Sequence, residues 1–413
     1  MLCTLFYCQT NKRQYTAKPT KSLSNPDSDL LEVNAVAYHV NDSITITYIE
    51  IKNENLVYKR PDTTLAFYAE VKVVYRLVPE QNSKKILDSG SFYLSDRAEE
   101  KVSDKSLFSR FNLRAMSNNQ YHLELEVSDV NKKTRYNQSL NIDKQSFFSG
   151  QNFLVTSNGG VSFKNNFLKD EAVKVTYASP AMNSFEVECF YREFGPAPPP
   201  FSTRPVDELK YKADSVFSLR PPGNYFTLTM PARGFYHIKP DPKSNEGLTL
   251  YTYDETFPGV SNSDEMISCT RYIMNKEEFE TCKNAEDKKA AIDKFWLNIG
   301  GSNERARELL KRYYGRVKEA NKLFTSYTQG WKSDRGMIFI VFGSPTNAYH
   351  SRKDEVWVYG NEANPGVLRF VFNKTKNPFS KNDYVMERSQ FYKDAWYGAV
   401  DYWRQGNIYF DKR

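Results

Sequence analysis

Gly330-Trp331-Lys332-Ser333-Asp334-Arg335-Gly336 sets a carboxylate beside a guanidinium between two glycines, directly before the apolar run Met337–Phe342. Asp334 as general base with Arg335 as anion holder would make a hydrolytic pair for peptide or glycan. His350, the nearest histidine, would have to complete it. The same residue types have a structural use. Asp334 can accept backbone N–H bonds across a turn, and Arg335 can pair with a carboxylate or lie over Trp331. Trp331 can bury a large ring, and Gly330 and Gly336 can take positive φ. Ser333 completes this motif, read as a shaped loop feeding a central buried strand. No Gly-x-Ser-x-Gly, His-Glu-x-x-His, P-loop or Gly-x-Gly-x-x-Gly stands in a fitting context. The structural use therefore outweighs the catalytic one.

The other reactive side chains are sparse. Cys189 shares the apolar phase of Phe185 and Val187 and reads as a core residue. Cys269 and Cys282 are separated by 12 residues, and in an oxidising compartment they can form a disulfide worth about 3 kcal/mol. The 4 histidines are scattered and no Cys-x-x-Cys is present, so neither a metal nor a cofactor is expected. At the N-terminus, the mostly apolar Met1–Tyr7 ends at Cys8, and a polar stretch follows to Asp29. This resembles a bacterial lipoprotein signal with Cys8 as the acylated residue. The apolar part is shorter than an ordinary signal, and a start upstream would supply the missing length.

The chain of 413 residues has room for two or three domains. Its 15% aromatic content favours pleated, half-buried surfaces. No apolar run approaches the roughly 20 residues of a spanning helix. The net charge of +7 is concentrated in the N-terminal arm and between Arg305 and Arg335. These read as solvated faces rather than a nucleic-acid footprint.

Residues 1–29 read as the signal remnant and tether. Over 30–147, Ile44, Ile46 and Tyr48 alternate with Thr45 and Thr47, and further period-2 segments follow at Val71–Leu77 and Tyr121–Val127. That pattern predicts an antiparallel, immunoglobulin-like β-sandwich. A second β-rich domain is expected over 148–261, where Gly195–Phe201 is a polyproline-like loop, a stiff connector or a ligand for an aromatic groove. From 262 to 413 the period lengthens, predicting an α+β domain of two helices and a small antiparallel sheet. One helix is expected within Lys276–Ile299. The other follows Gly300-Gly301, with Ser302 as cap and Ala306, Leu309, Tyr313, Val317, Ala320 and Phe324 on its apolar face. Gly315 in its middle suggests close packing of another element.

Phe295-Trp296, Asn303, Tyr313, Arg316, Ala320-Asn321, Phe324, the Gly330–Gly336 motif, Phe342-Gly343-Ser344-Pro345 and Glu355–Tyr359 occur in an order that resembles the GWxTD-domain family of bacterial envelope proteins, found mostly in Bacteroidota. Ser333 stands where the family name has Thr. The resemblance covers about 270–410. It implies a secreted or lipid-anchored envelope component and carries no reaction. The leading expectation is a non-catalytic periplasmic lipoprotein acting as adaptor or scaffold among envelope proteins, anchored through Cys8 at the inner leaflet of the outer membrane, with no nucleic-acid partner. The alternatives are a hydrolase working through the C-terminal domain and a carbohydrate- or peptide-binding module.

Overall fold

The computed structural model describes residues 31–409 other than 61, 63–65, 82–83, 100–104, 180–181, 204–211, 352 and 365. Cys8 and the tether lie outside the described residues.

The first unit contains β1 (Val33–His39), β2 (Ile44–Lys52), β3 (Phe67–Pro79), β4 (Asp88–Ala98), β5 (Ser106–Arg114), β6 (Gln120–Asp129) and β7 (Thr134–Asp143). They form two antiparallel sheets, β1-β2-β5 and β4-β3-β6-β7, that bury one common cluster. Alternation places Val71, Val73, Leu123 and Val127 inside, as their period predicts. In β2 the phase is the reverse of the expected one. Thr45, Thr47, Ile49 and Ile51 face inward, while Ile44, Ile46 and Tyr48 lie on the half-exposed face. The inward set ends in two fully buried isoleucines, and Thr45 offsets its polar atom by bonding the His39 ring at 2.9 Å.

The second unit holds β8 (Phe153–Ser157), β9 (Gly160–Val161), β10 (Asn166–Phe167), β11 (Ala172–Tyr177), β12 (Phe185–Phe190), β13 (Ser215–Leu219), β14 (Tyr225–Thr229), β15 (Gly234–Lys239) and β16 (Leu248–Thr252). Its sheets run β10-β16-β15-β12-β13 and β14-β11-β8-β9. Pairing is antiparallel except between β10 and β16. Cys189 is buried in its core beside Val187 and Phe185.

The C-terminal part comprises α1 (Ser263–Thr270), α2 (Lys276–Asn284), α3 (Lys288–Gly300), α4 (Asn303–Phe324), α5 (Asp334–Phe342), β17 (Asn347–His350), β18 (Asp354–Tyr359), β19 (Leu368–Lys374), β20 (Tyr384–Met386) and α6 (Lys393–Arg404). The small sheet is antiparallel, as expected, in the order β17-β18-β19-β20. Among the described residues the helices number six rather than the expected two. The stretch expected as one helix breaks between α2 and α3, because Asn275 and Glu278 form a capping box on α2 and Asp287 caps α3. Gly301, at φ 67°, ends α3, and Ser302 caps α4 through the Arg305 N–H. Gly315 packs against nothing: a Cβ there would meet no atom within 4 Å.

The largest difference is at Met337–Phe342, which is helix α5 and not a strand. All nine residues of α5 are buried. A helix enclosed on every side needs no polar stripe, so its sequence carries neither a 3.6 nor a 2.0 period.

Candidate functional site

The motif builds the entry to α5. Gly330–Lys332 make one 3-10 turn, and Ser333 is the N-cap of α5. The Ser333 hydroxyl accepts the Gly336 N–H at 3.0 Å and donates to the Gly330 carbonyl at 2.7 Å, closing the turn on itself. Neither Gly330 nor Gly336 takes a positive φ. Their glycine identity has another cause. A Cβ on Gly330 would lie 1.9 Å from the Ala320 carbonyl oxygen of α4, and one on Gly336 would lie 1.9 Å from the Gly330 carbonyl oxygen. The chain passes too close to other backbone for any side chain.

Trp331 is buried and held on several sides. Its indole N–H donates to Gln329 Oε1 at 3.1 Å, its backbone N–H donates to Asn321 Oδ1 at 3.1 Å, and its carbonyl accepts from the Tyr272 hydroxyl at 3.0 Å. Asn321 also donates to the Pro258 carbonyl at 2.8 Å, so one amide joins α4, the motif and the chain leaving the second unit.

Asp334 and Arg335 are adjacent but face different partners. The Asp334 carboxylate accepts the Met386 N–H at 2.8 Å and is paired with both terminal nitrogens of Arg388. Burial pushes its pKa above the ordinary carboxylate value, and the Arg388 charge and the Met386 N–H pull it partly back. Arg335 donates to Glu355 Oε2 at 2.9 Å and to the Asn382 carbonyl at 3.0 Å. It lies over the rings of Tyr384 and Phe324 rather than Trp331. Glu355, itself buried, accepts the Trp357 indole N–H at 2.6 Å. His350 ends β17 with Nδ1 3.7 Å from Glu355, and its side chain is 42% exposed.

The other end of α5 is equally closed. Arg316 donates to the Ile340 carbonyl at 3.1 Å, the Trp403 indole to Val341 at 2.9 Å, and the Tyr359 hydroxyl to Gly343 at 2.8 Å. A cation at the C-terminal carbonyls of a helix also opposes its dipole favourably.

The proline-rich loop lies across this assembly. Ala197 N–H donates to the Lys332 carbonyl at 2.7 Å, and the Pro198 carbonyl accepts from Arg388 at 3.2 Å. The Pro200 carbonyl accepts the Ser389 N–H at 3.1 Å, and the Phe201 ring sits 5.3 Å from that of Tyr397. The loop is thus a strap from the second unit onto the motif. Its carbonyls suit this because a polyproline-like segment makes no hydrogen bonds within itself.

Of the three catalytic candidates, Arg335 and His350 meet at Glu355, whereas Asp334 is turned to Arg388. Grooves on the outer face of the β4-β3-β6-β7 sheet and beside Tyr191, Tyr253 and Lys332 contain none of the three. Cys269 and Cys282 are not bonded. Both are free thiols in the helical core, the first facing the Glu265 carbonyl on α1 and the second facing the Ala291 carbonyl on α3, and burial raises both pKa values. Among the described residues no group of three His, Cys, Asp or Glu is placed to hold a metal.

Sequence reasoning missed Arg388, Glu355 and Asn382. Glu355 left a signal: in β18 it shares the phase of Trp357 and Tyr359, an inward position where a carboxylate must find a cation. Arg388 left none, since nothing local marks its pairing with Asp334.

By fold, the chain is rich in antiparallel sheets and closes in a mainly helical α+β part. Residues 234–405 match the family model of the GWxTD domain, so the C-terminal part of the chain is a GWxTD domain. The match begins at Gly234, the first residue of β15, and so takes in strands of the second unit as well as the helices. No curated protein matches the sequence.

Proposed function

We propose that this chain is a non-catalytic adaptor or scaffold of an outer-membrane-associated assembly, exported to the periplasm and anchored by lipid on Cys8. In this reading the two β-units are immunoglobulin-like sandwich modules that present surfaces to other envelope proteins. The observation that carries the proposal is the use of the motif's charges. Asp334 is committed to Arg388 and Arg335 to Glu355, both in buried pairs, and the strap Gly195–Phe201 lies over them. A general base needs a reachable carboxylate and an open position for the reacting atom. Here the acid–base residues join three segments of chain instead. The lipid anchor rests on the apolar segment ending at Cys8 and on the family resemblance.

The test combines acyl labelling of wild type and Cys8→Ala with crosslinking and affinity purification from native envelopes. The expected result is lipid on the wild type alone and recovery of a defined set of envelope proteins. An unacylated cytoplasmic monomer with no partner would overturn the proposal.

A further inference from the structure

The strand β13, Ser215-Val216-Phe217-Ser218-Leu219, is the last in its sheet, and no described strand pairs with its outer side. Edge strands are ordinarily guarded by a lysine, a proline, a bulge or a covering loop. β13 has no charge and no proline, and its register with β12 runs unbroken from Ser215↔Cys189 to Leu219↔Phe185. Apolar side chains are exposed on both of its faces. Phe217 pairs with Val187, which is fully buried, yet Phe217 is 38% exposed. The apolar ring of Phe217 is thus left partly uncovered at the edge of the second unit, beside a closed core. On the opposite face Val216, 53% exposed, stands beside Glu188, whose charge is met by Lys239 at 2.8 Å.

One kind of occupant meets all of these features. A strand laid beyond β13 would take up the N–H and C=O groups that no described strand pairs with, cover Phe217 on one face and cover Val216 on the other. A helix or a flat surface would leave the backbone row unsatisfied. Charge selects further. Lys212 and Arg220 flank the uncharged strand, both are exposed, and no described residue pairs with either side chain, while the charge of Asp214 directly before the strand is met by Arg192 at 2.7 Å. We infer that β13 is a strand-addition site for an extended segment of a partner protein, with alternating apolar residues at its centre and acidic residues at both ends. This names the partner class for the adaptor role proposed above and rests on that role.

The test is fluorescence anisotropy with the full chain and labelled nine-residue peptides. Each has a Thr-Val-Thr-Val-Thr centre, with two glutamates at each end in one set and two lysines in the other. The glutamate peptides are expected to bind at micromolar Kd and the lysine peptides at least tenfold more weakly. Val216→Lys should weaken glutamate-peptide binding at least tenfold with the fold intact, and Lys212→Glu with Arg220→Glu should invert the charge preference. The inference is overturned by no binding up to about 1 mM, by binding that Val216→Lys leaves unchanged, or by a dimer of the chain that Val216→Lys abolishes. Lack of peptide binding with envelope partners still recovered would remove β13 and leave the adaptor role. Peptide binding without any envelope partner would do the reverse.

Discussion

Arg388→Met deletes the guanidinium that meets Asp334 and keeps an apolar stem beneath the proline strap. The Asp334 carboxylate is then left, 7% exposed, with the Met386 N–H as its remaining partner. Removing one member of a buried pair costs about 3–5 kcal/mol. For a domain of this size Tm moves about 2–4 °C per kcal/mol, so a fall of roughly 6–20 °C is expected at neutral pH. The loss must depend on pH. Burial already holds the Asp334 pKa above its ordinary value, and without Arg388 it rises further. A carboxyl with a raised folded pKa contributes stability below its unfolded pKa and loses it as pH rises through the folded value, at up to about 1.4 kcal/mol per pH unit. Arg388→Met should therefore recover much of its Tm near about pH 5 relative to about pH 7, more than wild type does. Adding Asp334→Asn removes the unpaired charge and should restore most of the loss at neutral pH. Heat unfolding followed by tryptophan fluorescence reads this directly, because Trp331 is in the affected core. Equal losses at both pH values, or none at either, would refute the pairing argument.

Gly336→Ala should destabilise by at least about 3 kcal/mol, since its Cβ must displace backbone, whereas Gly315→Ala, which meets nothing, should gain about 1 kcal/mol; chemical denaturation of both separates close approach from helix propensity. Ser333→Ala should cost about 1 kcal/mol through the lost cap, and Ser333→Thr should cost little because the hydroxyl is kept. His237 is held between Thr249 and the Asn245 carbonyl, and burial lowers its pKa to about 4. A base with a lowered folded pKa contributes stability above 6.5 that is lost as pH falls towards about 4. His237→Gln should accordingly flatten the acid limb of the stability–pH curve by about 3 kcal/mol.

Much of the layout was legible. The apolar stripe of α4 with its Ser302 cap, the richness in antiparallel strands ahead of the helices and the motif order all announce themselves through local periodicity and capping chemistry. What was not legible is tertiary. Met337–Phe342 has no period because α5 is enclosed on every side, and the Ser333-Asp334 start, an N-cap followed by an acid, was the cue that it is helical. In β2 both phases carry apolar side chains, so alternation alone cannot say whether Thr45 or Ile46 faces the core. The partners of the motif lie 54 residues away at Arg388 and 20 away at Glu355. No local pattern encodes such pairings. The glycines were read as left-handed turns, yet backbone contact with Ala320 and Gly330 explains them.

We propose that Asp334 and Arg388 hold the GWxTD domain together and do no chemistry. The most direct measurement compares envelope-partner recovery for wild type and for Asp334→Asn with Arg388→Met, after both are shown to be equally folded. The account predicts equal recovery, because restoring the fold restores the surface. A fully folded double variant that loses its partners or its biological activity would contradict it.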